Sequence, residues 1–234
     1  MRSLPIVLAT LALAAPLAAQ NPSSDPDKAA PGNGSLPAGW HARLDRPTAQ
    51  LAQVKFVPMG SGYHFTSGPA AIYWRPTDNV TGTYTVQASF TQSAPSAHPE
   101  GYGVFVAGKE LEAPNQSYVY FLVRQDGKFM VKHRAGAEVH TIVDWTENAA
   151  VKALPAGGKA TNAFRVVAAA DSVRAYINGT QVWAGERNYL GADGVAGLRV
   201  NHNLDVHVDG FSVTKGAAGK AAPKAKPAAK KSGR

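Results

Sequence analysis

From Thr83 to Thr91 the chain reads Thr-Tyr-Thr-Val-Gln-Ala-Ser-Phe-Thr, an apolar residue at every second position with only small polar groups between. Side chains of an extended strand point alternately to opposite faces, so Tyr84, Val86, Ala88 and Phe90 share one face and leave the other to water. The pattern recurs as far as Val213, broken by Asp-Gly and Asn-Gly pairs that turn a strand back on itself. Further candidates are Val54–Val57, Tyr63–Thr66, Ala71–Trp74, Gly101–Val106, Gly194–Val200 and Val206–Val213, with a turn over Arg75–Asn79. The one helix candidate, Asn148 to Ala153, is weak. Strands this dense, with turn signals at short spacing, predict an all-β protein of two packed antiparallel sheets.

The two ends differ in composition from the middle. Arg2 precedes an apolar run from Leu4 to Leu17, and Ala18-Ala19 before Gln20 supplies the small residues of a leader cleavage site. The run is shorter than the roughly 20 residues a spanning helix needs, and Pro5 and Pro16 interrupt it. Residues 1–19 therefore read as a signal peptide, and the product is expected to be secreted or periplasmic with no transmembrane segment. Residues 20–40, rich in Pro, Ser, Gly and Asp, read as a disordered linker, 41–214 as one β-sandwich domain, and 215–234 as a disordered tail of Lys, Ala and Pro.

Cysteine is absent. An exported domain of this kind must hold without disulfides, and thiol catalysis, a lipid-modified cysteine and sulfur-bound zinc are excluded. The formal net charge is +8, which at first suggests nucleic acid. Seven of the positive charges, however, are Lys215, Lys220, Lys224, Lys226, Lys230, Lys231 and Arg234 in the tail, which leaves the rest close to neutral. Specific nucleic-acid binding is not expected. The tail suits loose, salt-screened attachment to an anionic surface.

The clearest hairpin joins Tyr118–Arg124 to Phe129–Arg134 through Gln125-Asp126-Gly127-Lys128. With Asp-Gly as the centre of a two-residue turn, Arg124 faces Phe129, Leu122 faces Val131 and Tyr120 faces His133. These pairs then share one face, with Tyr118 at its far end, while Val119, Phe121, Val123 and Met130 share the other. A second hairpin, Phe164–Ala169 with Val173–Ile177, turns at Asp171-Ser172, and Asn178-Gly179 leads on into Gln181-Val182-Trp183.

The succession of Tyr118–Arg124, Asp126-Gly127, Asn162–Val166, Tyr176-Ile177-Asn178-Gly179, Gly194-Val195-Ala196-Gly197-Leu198 and Val208-Asp209-Gly210-Phe211 resembles the concanavalin A-like lectin and glucanase superfamily. Within it, the chain is most similar to the bacterial laminin-G-like and 3-keto-disaccharide hydrolase-type domains. The resemblance covers roughly Phe56 to Val213 and its motifs are architectural. It implies an antiparallel jelly-roll sandwich of two curved sheets, one of which in many relatives carries sugar.

Catalytic patterns are weak. Retaining relatives of the laminarinase type carry Glu-x-Asp-x-x-Glu, because cleavage needs an acid and a nucleophile about 5 Å apart, and no such segment occurs here. The nearest carboxylate pairs are Glu110 with Glu112, in a loop ended by Pro114, and Asp205 with Asp209. No catalytic residue is assigned. Asn201, His202, Asn203, Asp205 and His207, with Asp209 nearby, form the one segment whose composition could suit calcium, yet calcium takes several converging carboxylates. The segment reads as a solvated turn, and no metal or cofactor is assigned.

Sugars are recognised by flat aromatic faces together with planar hydrogen-bonding groups. Trp74, Tyr118, Tyr120, Arg124, His133 and Trp145 offer both, each against a competing role in packing. The leading reading is a secreted, non-catalytic, lectin-like module for carbohydrate or cell-surface glycan. A glycoside-acting hydrolase or lyase using His133, Glu110 or Asp209, and an envelope structural or adhesion protein attached by its tail, are the competing ones.

Overall fold

The structure, a computed structural model, describes residues 27–216; the expected leader and nearly all of the expected tail lie outside them. Fourteen strands form two seven-stranded sheets. The first runs from edge to edge as β1 (His41–Leu44), β4 (Ala71–Val80), β13 (Gly194–Val200), β6 (Gly101–Lys109), β7 (Ser117–Arg124), β8 (Lys128–Ala135) and β9 (Glu138–Glu147). The second runs as β12 (Thr180–Glu186), β11 (Ser172–Ile177), β10 (Ala160–Ala168), β5 (Tyr84–Gln92), β14 (Asp205–Lys215), β3 (Gly62–Ser67) and β2 (Val54–Met59). Neighbouring strands pair antiparallel throughout. The all-β, jelly-roll expectation holds.

The alternating run places the core as its pattern predicts. Tyr84, Val86, Ala88 and Phe90 are between 0% and 3% exposed. Phe90 meets Tyr102 of the opposite sheet at 5.4 Å between ring centres and Phe164 of its own sheet at 5.3 Å. Burying a side chain of this size stabilises by roughly 1.5–3 kcal/mol, which is how the sandwich holds without a disulfide. The Asn178-Gly179 turn also forms as read: φ is +50° at Asn178 and +85° at Gly179, and Ile177 pairs directly with Thr180. The Asn178 amide donates to Ala150 O and to Asn162 Oδ1, both at 2.8 Å, so this turn anchors the loop after β9 as well.

Four local expectations are corrected. Asn148–Ala153 is not a helix: Asn148 closes a turn, its O and Oδ1 accepting from the backbone N–H groups of Val151 and Ala150, both at 2.9 Å. Arg75–Asn79 does not end the strand, because β4 runs on to Val80 and only its pairing with β13 is interrupted there, where Arg75 bonds Asp78 at 2.8 Å. Within the expected linker, residues 27–40 pack on the sandwich: Lys28 N–H donates to Asn203 Oδ1 at 2.7 Å, Asp27 pairs with Arg46, and Trp40 is buried.

The fourth concerns the hairpin. Val123 lies opposite Phe129, Leu122 opposite Met130, Tyr120 opposite Lys132 and Val119 opposite His133. Three residues, not two, make the loop; Gly127 at φ +82° takes the left-handed position and its N–H donates to Arg124 O at 3.2 Å. A type I turn closed by a left-handed glycine is the next commonest hairpin solution after the two-residue turn. The shift by one residue moves every side chain of β8 to the other face. Met130 joins Tyr120, and His133 leaves it.

Candidate functional site

The outer face of the first sheet is unlike that of the second. Along β5 the outward positions are Thr85, Gln87, Ser89 and Thr91, all polar. On the first sheet the outward side chains form a second apolar cluster separate from the core: Ile72, Trp74, Phe105, Leu111, Tyr118, Tyr120, Leu122 and Met130, with Trp145 and Val195 packed against it. Register lays Arg43, Ile72, Arg199, Gly103, Leu122 and Met130 in one row across six strands. The adjacent row is His41, Trp74, Gly197, Phe105, Tyr120 and Lys132. At about 4.8 Å per strand, each row is a path long enough for several sugar units.

Two glycines shape this floor. A Cβ on Gly197 would stand 2.3 Å from Tyr73 O and 2.4 Å from Phe105 Cε1, so the Phe105 ring lies over bare backbone. A Cβ on Gly101 would stand 3.0 Å from the Trp145 ring, which reaches back from β9 across Leu122. The Arg124 guanidinium sits 4.5 Å from the centre of that Trp145 ring and donates to Asp126 Oδ1 at 2.8 Å. Stacking of this kind holds an indole in place at the rim.

At the other end, β1 builds a wall. Arg43 Nη1 donates to Leu111 O at 3.0 Å and Ala113 O at 2.7 Å, and His41 Nδ1 lies 2.7 Å from Glu112 Oε1. These contacts fold the loop after β6 beside Trp74 and enclose a trough of about 490 Å³, in which Trp74 and Val195 meet Asn79, Glu110 and Glu112. A ring face with carboxylate and amide groups beside it matches the two chemistries a sugar presents.

The middle of the face is charged. Arg199, buried with its guanidinium 5.6 Å from the centre of the Tyr120 ring, donates from Nη1 and Nη2 to the two oxygens of Asp45, each at 2.5 Å, and from Nε to Asn201 Oδ1 at 3.1 Å. Burial works to raise the Asp45 carboxyl, but Arg199, with Arg134 and Arg43 near it, outweighs burial and holds it below the ordinary aspartate value. Burial pushes the Tyr120 phenol up to about 12 and raises Tyr118 as well, so both hydroxyls are proton donors at any physiological pH.

Of the six residues singled out from the sequence, Trp74, Tyr118, Tyr120, Arg124 and Trp145 lie on this face. The rings of Trp74, Tyr118 and Tyr120 are 3% to 6% exposed, set into the floor rather than standing on it. His133 is apart. It points inward beside Val119 and lines a different cavity of about 350 Å³ with His140, Ile142, Tyr189 and Leu190, its Nε2 lying 3.0 Å from Ser117 Oγ. Arg43, Asp45, Phe105 and Arg199 were not singled out. Alternation in Gly194–Val200 puts Arg199 on the Gly197 face, a signal the sequence carried; nothing in it brings Asp45 to that arginine.

The remaining acidic and histidine candidates are dispersed. Asp205 Oδ2 lies 3.3 Å from His64 Nε2 and Asp209 Oδ2 lies 3.2 Å from His207 Nε2, each carboxylate on its own histidine on the second sheet. Among the described residues no group of three or more His, Cys, Asp or Glu side chains is arranged to hold a metal ion. No helix among them is long and apolar enough to cross a membrane.

No protein-family model matches the chain, and no curated protein matches it in sequence. Solved structures do share its fold. The carbohydrate binding module CBM66 from Bacillus subtilis superposes with a TM-score of 0.55 at 11% identity, over 75% of this chain and 95% of that one. The metal-free carbohydrate recognition domain of Emp46p gives 0.51 at 8% identity, over 77% and 89%. Alginate lyase A1-II′, of polysaccharide lyase family 7, gives 0.51 at 12% identity, over 76% and 94%. At these identities the likeness is one of fold, and it supports the jelly-roll assignment made above.

Proposed function

We propose that this chain is an exported, non-catalytic module that binds carbohydrate or a cell-surface glycan on the outer face of its first sheet. The observation that carries the reading is the second apolar cluster. A sheet face turned away from the core is ordinarily polar, as β5 shows, whereas here Trp74, Phe105, Tyr118, Tyr120 and Trp145 form an aromatic floor bordered by hydrogen-bonding groups. Two structures of like fold, a carbohydrate binding module and a carbohydrate recognition domain, support it. Export rests on the leader pattern of residues 1–19, and the laminin-G-like affiliation on the strand and turn motifs from Tyr118 to Phe211.

Non-catalytic character rests on where the carboxylates stand. Glycoside cleavage needs two acidic groups flanking the bond. Glu110 and Glu112 stand together on one loop wall, and Glu112 is engaged by His41. Of the other acid or base candidates of the competing hydrolase reading, His133 faces the other cavity and Asp209 lies against His207 on the second sheet.

A glycan array followed by calorimetry on the full chain tests this. Binding of at least one oligosaccharide class is expected, weakened about tenfold or more in Trp145→Ala, with no change in the length of the saccharide on prolonged incubation. Retention of no saccharide, or the appearance of shortened products, would overturn it.

A further inference from the structure

Asp45 pairs with Arg199 and feels the charge of two further guanidiniums, Arg134 and Arg43. Arg199 engages all three of its nitrogens: Nη1 and Nη2 go to Asp45 and Nε to Asn201. The other two do not. Arg43 uses only Nη1, on the carbonyls of Leu111 and Ala113. Arg134 uses only Nε, donating to Gly136 O at 2.6 Å. That leaves both terminal nitrogens of Arg134 unengaged by any described residue, and these are the pair whose spacing matches the two oxygens of a carboxylate. Among the described residues, neither Arg43 nor Arg134 has an ion-pair partner of its own.

The two arginines approach one place from opposite sides of the sheet. Arg43 comes from β1 and holds Ala113 O, while Arg134, at the end of β8, holds the turn whose Gly136 lies against Pro114, an added Cβ there standing 3.4 Å from Pro114 O. Beneath them is Tyr118, directly opposite Arg134 in the ladder, with the Tyr120 ring 5.6 Å from it. Both rings are buried, yet neither hydroxyl bonds a described residue or falls among the buried groups lacking a partner. These hydroxyls therefore open to solvent as unused donors. Lys132, opposite Tyr120, adds a fourth cation without a described carboxylate beside it. Like charges gathered on one face repel, and an anion placed between Arg43 and Arg134 gains charge-assisted hydrogen bonds.

We propose that the saccharide taken by this face is acidic, a uronate whose carboxylate is received by Arg134 and Arg43 above the Tyr118 and Tyr120 hydroxyls. The inference rests on the saccharide-binding reading and narrows its ligand class. A planar carboxylate already occupies the Arg199 fork in the form of Asp45, and the end-on nitrogens of Arg134 offer a second fork of the same shape.

The test is calorimetry on the full chain with matched pairs: oligogalacturonate, oligoglucuronate and oligomannuronate, each against its carboxyl-reduced neutral counterpart, and a sulfated oligosaccharide of equal charge. At least one oligouronate is expected to bind about tenfold or more tighter than its reduced partner, the size of one charge-assisted hydrogen bond. Arg134→Gln is expected to abolish that preference in a chain that still unfolds in one cooperative transition. A chain with Lys220, Lys224, Lys226, Lys230 and Lys231 all changed to Gln controls for the tail and is expected to keep the preference. Equal affinity for acidic and neutral partners overturns the inference and leaves the saccharide reading standing. Tighter binding of the sulfated compound, or a preference lost with the tail lysines but kept in Arg134→Gln, overturns it too. Binding of no saccharide in any pair overturns the saccharide reading itself.

Discussion

Arg199 and Asp45, 154 residues apart in sequence, meet in a two-pronged ion pair on the outer face of the first sheet, both N–O distances being 2.5 Å. The arginine side chain is 7% exposed and the aspartate 30%. Removing one partner of such a pair leaves a charge out of water with nothing to meet it. Asp45→Ala should therefore cost about 3–5 kcal/mol, and Asp45→Ala combined with Arg199→Met should recover much of the loss. Urea unfolding of the two variants checks this; equal destabilisation in both would show that the pair contributes by packing alone.

The same pair sets an acid limit. Asp45 in the folded protein lies below its ordinary value, the arginines outweighing burial. Its contribution to stability is thus fully present above the unfolded-state aspartate value of about 3.9 and is lost as pH falls through the lower folded value. Unfolding free energies of the wild type and of the double variant, measured from neutral pH downward, should converge only below about pH 4.

Gly197 is needed for space. An added methyl would press on Tyr73 O and on the Phe105 ring at 2.3 Å and 2.4 Å, and strand backbone in mid-sheet cannot retreat. Gly197→Ala should destabilise by about 1–3 kcal/mol and weaken saccharide binding by tilting Phe105. Thermal unfolding read beside calorimetry separates the two effects.

His133 should titrate low. Burial first, and then the nearby charge of His140, depress its pKa below the ordinary histidine value. In His140→Gln the charge contribution disappears and burial remains, so the NMR titration midpoint of His133 should rise without reaching the ordinary value. Because the folded state favours neutral His133, the stability it confers is complete above about pH 6.5 and declines as pH falls through that value toward the folded one.

How far the residues foretold the molecule depends on the range of the interaction involved. The run Thr83–Thr91 declared its buried face, and Asn178-Gly179 its turn, because alternation and left-handed backbone preference act between neighbours. Asp126-Gly127 carried the same kind of signal but allowed two loop lengths, and the longer one formed. Local turn energies differ by less than the packing they control: with three loop residues Met130 joins the outer apolar cluster and Val131 the core. That choice also separated His133 from Tyr120.

The amino-acid order by itself determined a cysteine-free, two-sheet protein with a basic C-terminal segment, and the buried face of the strand that carries Tyr84, Val86, Ala88 and Phe90. Only tertiary structure decided that Trp74, Phe105, Tyr118, Tyr120 and Trp145 share one outer face, and that Asp45 pairs with Arg199 within the field of Arg43 and Arg134. The reason is physical. Strand periodicity is a property of adjacent residues, whereas sheet order and the meeting of distant charges follow from how the whole chain closes around its interior.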